Sequence, residues 1–135
     1  MTDMTAPRNA TLKSGLTVVG MGYLLTNDGT SNKLDLTAAG EVALGVSADE
    51  SERDASGLVS GGKVGFRPLG GVLLVAAAAS QTLTTGLTVY AGAGGLLTTT
   101  AGSNKKIGLY IGEGETTSSS AGDLVPVMTG ASVIA

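Results

Sequence analysis

The densest group of reactive side chains is acidic. Asp49, Glu50, Glu52 and Asp54 lie close together within the segment 48–57. Calcium prefers several such oxygen ligands, but the invariant Gly and terminal Glu of an EF-hand loop are missing here. Arg53 also competes for the acids. The segment therefore reads as a solvated loop, of a kind that also discourages aggregation. Glu113 and Glu115 are two apart and would share a face if they lay on a strand. A carboxylate pair can hydrolyse a glycosidic bond. Clefts of that kind are lined with aromatic rings, and this chain has only Tyr23, Phe66, Tyr90 and Tyr110. Gly57–Val64 (GLVSGGKV) follows the phosphate-loop pattern up to Val64, where Ser or Thr should hold magnesium. Strand-like residues follow where a helix should begin, so the segment reads as a Gly-rich turn. In Gly92-Ala93-Gly94-Gly95 the glycines are misplaced for a dinucleotide fingerprint. That run reads as a link or a site of close backbone approach. Asn9-Ala10-Thr11 fits a glycosylation acceptor, a pattern without meaning in the absence of a secretory signal.

Composition removes whole classes of chemistry. The 135 residues include no Cys, which excludes disulfides, thiolate zinc sites and thiol catalysis. They include no His, which excludes a Ser-His-Asp triad and a His general base. Charged residues are 14% and the net charge is −3, with Lys105-Lys106 the only adjacent cations. Nucleic acid is thus not the expected partner, because phosphate neutralisation needs clustered Lys and Arg. No run approaches the ~20 apolar residues that span a bilayer, and Met1–Arg8 has no apolar signal core. The expectation is a soluble chain made in the cytoplasm, with no membrane partner and no cofactor.

The elements that must position any site are strands. Hydrophobic residues are 42% but aromatics only 3%, and there are 22 glycines. The core must be thin and aliphatic, and ordering so much glycine is entropically costly. Oligomerisation is the simplest outside help. Strands are expected at Leu16–Val19, Gly22–Thr26, Glu41–Ser47, Lys63–Phe66, Gly71–Val75, Leu87–Tyr90, Gly95–Thr99, Ile107–Ile111 and Leu124–Met128, punctuated by Gly or Pro. Asn27-Asp28-Gly29 is a turn signal. Val75–Gln81 (VAAAASQ) is either a short helix or a small-residue strand packed on another backbone. Residues 11–33 and 82–105 repeat the pattern Thr-Leu-x-x-Gly-Leu-Thr-Val, then Leu-Leu-Thr, then Ser-Asn-Lys. A fainter likeness links Ala43–Val46 with Lys106–Leu109. The fold class expected is all-β: a compact small barrel or sandwich with Gly-rich turns, two pseudo-repeated strand units and at most one short helix. The domain organisation expected is an extended arm, 1–10, followed by one β-domain, 11–135.

The succession Gly-Leu-Thr-Val-Val, Ala-Leu-Gly-Val-Ser-Ala, Gly-Leu-Thr-Val-Tyr-Ala, Gly-Leu-Leu-Thr-Thr-Thr, Ile-Gly-Leu-Tyr-Ile-Gly and Ala-Gly-Asp-Leu-Val-Pro-Val-Met resembles the small head-decoration (capsid cement) proteins of tailed viruses. The chain departs from them in its longer leading arm and in Pro126, which suggests a sheet edge or a bulge. The resemblance implies a non-enzymatic virion protein on the outer capsid surface. Its partners would be the major capsid (coat) protein and its own copies in a homotrimer. An arm containing Thr2, Met4, Thr5, Ala6, Pro7 and Arg8 would add strand-like hydrogen bonds to the coat. Phe66, Leu69, Val72, Leu73 and Leu74 are the expected subunit-packing residues, against the alternative that they are ordinary core. The competing function is a repeat domain of a surface fibre or adhesin that binds a host receptor through loops such as 113–122.

Overall fold

The computed structural model describes residues 8–12, 16–17, 20–27, 29, 33–48, 58–59, 63–113, 116–118 and 120–130. Among these residues fourteen strands run in chain order: β1 (Arg8–Thr11), β2 (Leu16–Thr17), β3 (Leu24–Asn27), β4 (Leu34–Leu36), β5 (Gly45–Ser47), β6 (Leu58–Val59), β7 (Lys63–Pro68), β8 (Gly71–Ala77), β9 (Thr82–Leu83), β10 (Thr88–Ala91), β11 (Leu97–Thr98), β12 (Lys105–Tyr110), β13 (Thr116–Thr117) and β14 (Asp123–Thr129). A 3₁₀ turn at Ala93–Gly95 is the only helical element among the described residues. The chain is all-β, as its composition requires.

The strands form two units with one topology. In the first, the order is β1-β7-β5-β3-β4, and a parallel bridge between Leu12 and Leu34 joins the two ends. In the second, a closed barrel, the cycle β8-β14-β12-β10-β11 returns to β8 through the parallel pair Leu97–Ala77. All other neighbours within each unit are antiparallel. The registers coincide as well. Leu25 opposite Gly45 matches Val89 opposite Gly108, and Gly45 opposite Pro68 matches Gly108 opposite Thr129. Two short ribbons repeat the correspondence: β2 pairs antiparallel with β6 in the first unit, and β9 with β13 at the same places in the order of the second.

This duplication corrects the repeat drawn from sequence. Aligning 11–33 with 82–105 sets Leu25 against Leu97, whereas strand pairing sets Leu25 against Val89 and Leu34 against Leu97. The fainter likeness, Ala43–Val46 with Lys106–Leu109, lies in the true register. Its shared glycine has a steric reason. A Cβ on Gly45 would stand 2.2 Å from the Arg67 carbonyl oxygen, and one on Gly108 would stand 2.0 Å from that of Met128. No side chain fits at either position.

The two units share a core. Leu12, Leu25 and Leu34 fill the first, with Tyr23, Leu36 and Phe66 packed partly buried against them. Leu24, Ala43 and Val46 of the same unit join Leu73, Val75, Val89, Leu97, Ile107 and Val127 in the larger cluster. Backbone contacts reinforce the junction. The Ala76 N–H donates to the Gly22 carbonyl at 2.8 Å, and the Gly95 N–H to that of Thr37 at 3.0 Å. Gly22 has φ +83, and the Leu74 carbonyl oxygen and Ala76 N stand 3.0 and 3.1 Å from where a Cβ would be, so any other residue would be strained there. The Val75–Gln81 ambiguity is thereby resolved: Val75, Ala76 and Ala77 end a strand that lies against the Gly22 backbone, and Ala79-Ser80 form a turn after it. The Gly92–Gly95 run is likewise a close approach, with the Leu24 carbonyl 2.8 Å from the Cβ position of Gly95.

Two expectations need correction. Arg8, Asn9 and Ala10, assigned to the arm, belong to β1 and pair with Phe66, Gly65 and Val64 of β7. Pro126 marks neither an edge nor a bulge, since β14 lies between β8 and β12 in continuous register with β8. Its carbonyl accepts the Ile111 N–H at 3.1 Å, just past the last β12 pair, Tyr110 with Val127. The missing proline N–H therefore points where the β12 ladder has already ended. The register shift in this barrel lies instead at Val89/Tyr90.

Candidate interaction surface

The acids do not build a reaction centre among the described residues. Glu113 is exposed and lies in a bend outside any strand, and its proposed companion Glu115 lies outside the described residues. So do Asp49, Glu50, Glu52 and Asp54. Among the described residues no group of Asp or Glu could hold a metal ion. The phosphate-loop look-alike leads into β7, a strand, where nucleotide binding needs a helix N-terminus. Asp123 opens β14 as a turn residue, its Oδ2 accepting the Ser120 N–H at 3.1 Å.

The distinctive surface is the outer face of the β8–β14 ribbon. Strand alternation divides its residues. Leu73, Val75 and Ala77 point inward opposite Val127, Val125 and Asp123. Val72 and Leu74 point outward opposite Met128 and Pro126, while Ala76, on the same side opposite Leu124, is 0% exposed beneath the Gly22 backbone. The outward side chains are exposed to an unusual degree: Val72 59%, Leu74 49%, Met128 41% and Leu124 39%. Met21, 41% exposed, continues the face. A depression of about 350 Å³ opens beside it, lined by Met21, Val46, Ser47, Arg67, Val72 and Leu74. Its floor is firm. Ser47 is 1% exposed, and its hydroxyl donates to the Gly20 carbonyl while accepting the Tyr23 N–H at 3.0 Å.

The subunit-packing residues named from sequence separate accordingly. Val72 and Leu74 lie on this face. Leu73, 7% exposed, belongs to the barrel core, so the alternative of ordinary core holds for it. Phe66 and Leu69 are half-buried, packed on the smaller and larger clusters respectively. Of the arm residues, Thr2, Met4, Thr5, Ala6 and Pro7 lie outside the described residues, and Arg8 is in β1. Sequence reasoning missed Leu124, Met128 and Met21. The signal for the first two was present: Leu124, Pro126 and Met128 alternate with Val125 and Val127 at the period of a strand.

The chain matches no protein-family model and no curated protein. Among the described residues no helix is long and apolar enough to cross a membrane.

Proposed function

We propose that this chain is a structural virion protein. It decorates the outer capsid surface as a homotrimer and stabilises the shell by bridging coat subunits. It acts without catalysis and without a cofactor. The observation that carries this reading is the exposed apolar face of the β8–β14 ribbon, in a chain that lacks Cys and His altogether. A surface of this kind is suited to adhesion between proteins. The resemblance of the strand motifs to capsid cement proteins supplies the partner.

The mechanism is multivalent clamping. The segment before β1 adds main-chain hydrogen bonds to exposed coat backbone. Each contact is weak, and three presented together bind through effective concentration. Binding only the intact shell raises the free energy of its rupture by linkage. The test is to mix purified protein with expanded capsids from its source and separate them by sedimentation. Saturable, stoichiometric binding that raises the capsid disruption temperature is the expected result. Binding to host cells or glycans with no affinity for capsids would establish the adhesin reading instead.

A further inference from the structure

We infer that the outer face of the β8–β14 ribbon is covered by the same face of neighbouring copies of this chain, packed around the three-fold axis of the trimer proposed above. The duplicated fold supplies its own control. Strand register matches Leu74 with Asn9, Ala76 with Thr11, Leu124 with Lys63, Pro126 with Gly65 and Met128 with Arg67. The first unit thus builds the same ribbon with polar and cationic residue types at the positions where the second places Leu74, Leu124 and Met128. Apolar residues are therefore not what ribbon pairing demands. They are particular to one of two equivalent faces, and water is a poor partner for them.

Area and charge identify the occupant. Val72, Leu74, Leu124, Met128 and Met21 together expose on the order of 400 Å² of apolar surface, the size of patch that marks an interaction site. With apolar atoms at roughly 60% of an interface, three such faces closing on one axis bury about 2,000 Å² in total, within the range of a stable specific contact. None of these five side chains is charged, so two copies meet without trapping an ion, and Arg67 remains at the rim of the depression. The net charge of −3 adds only a mild, salt-screened repulsion. This self-association does not depend on what the assembly then binds.

The experiment uses the full chain in sedimentation-velocity runs over a wide concentration range. The wild type is expected to form a trimer. Leu74→Asp and Met128→Asp each weaken assembly at least 100-fold with an unchanged circular dichroism spectrum. Val72→Lys, at the most exposed position of the ribbon, serves as a second variant if an aspartate disturbs folding. Val42→Lys is equally exposed but off the ribbon, and leaves assembly intact. The chain has no Cys, so Val72→Cys gives a single thiol that cross-links copies only if the two faces meet. A wild type that stays monomeric, or ribbon variants that assemble like the wild type, overturns the inference. Failure of capsid binding by a protein that still self-associates would refute the decoration reading and leave this one standing.

Discussion

Substituting alanine at the twin glycines tests the duplicated architecture most directly. In Gly108→Ala the new methyl would lie 2.0 Å from the Met128 carbonyl oxygen, where ordinary contact begins at 3.4 Å. The obstacle is backbone, so no side chain can swing aside. β12 and β14 must part by more than an ångström around the pair Gly108–Thr129. Losing two backbone hydrogen bonds there costs about 2 kcal/mol. Overpacking adds ~1–3 kcal/mol. The expected total is about 3–5 kcal/mol, a large share of the ~5–15 kcal/mol stability of a typical domain. That corresponds to a fall in melting temperature of roughly 10–15 °C for a chain of this size. Gly45→Ala should behave alike, because the Arg67 carbonyl oxygen stands 2.2 Å from its Cβ position. Gly29→Ala separates out the cost of backbone conformation: φ is +86 and nothing lies within 4 Å, so it should lose only ~1–2 kcal/mol. Urea unfolding followed by circular dichroism, at one fixed protein concentration, measures all three. If Gly45→Ala and Gly108→Ala cost no more than Gly29→Ala, the steric account of the two glycines is wrong; if only one of them is costly, the equivalence of the two units is wrong.

Three further outcomes are expected. Ser47→Ala strands the Gly20 carbonyl and the Tyr23 N–H, and Thr37→Val strands the Gly92 carbonyl that its Oγ1 reaches at 3.0 Å; each should cost ~1–3 kcal/mol in the same unfolding assay. Leu25→Ala, in the interior of the first unit and 0% exposed, should cost ~2–5 kcal/mol, and a smaller loss would mean that this interior is not packed as described. Deleting residues 1–7 should leave the melting temperature unchanged while weakening capsid attachment. Deleting 1–11 should destabilise the fold, because it strips β1 and its four paired positions from β7. Full capsid binding by the shorter truncation would refute the arm mechanism.

The strands easiest to read were those that carry their own signal. Val, Ile and Leu runs bounded by glycine announced β3, β5, β7, β8, β10, β12 and β14, because such side chains fit a half-buried pleated surface. The strands missed entirely are short and mixed in character. Leu34-Asp35-Leu36 forms β4 only because β3 pairs with it, and β9 and β13 each supply two residues to a ribbon. The true repeat was obscured because duplication preserved backbone geometry rather than residue type. Gly45 and Gly108 are alike where a Cβ cannot fit, while the equivalent positions Arg67 and Met128, neither of them buried, differ in residue type. The interaction face was half visible. Gly71–Ala77 is a continuous apolar run, which reads as a strand buried on both sides. Only three-dimensional pairing with β14 shows that Val72 and Leu74 face outward.

Each unit is a hoop fastened by one clasp, Leu12 with Leu34 in one and Ala77 with Leu97 in the other. Undoing a clasp forfeits on the order of one hydrogen bond, ~1 kcal/mol, whereas peeling β14 from β8 breaks a ladder of seven paired positions. Brief excursions of the native protein should therefore begin at the clasps, with amide protons near β4 and β11 exchanging with solvent long before those of β14. Such a molecule would breathe at two fixed places while its broad apolar ribbon keeps its shape.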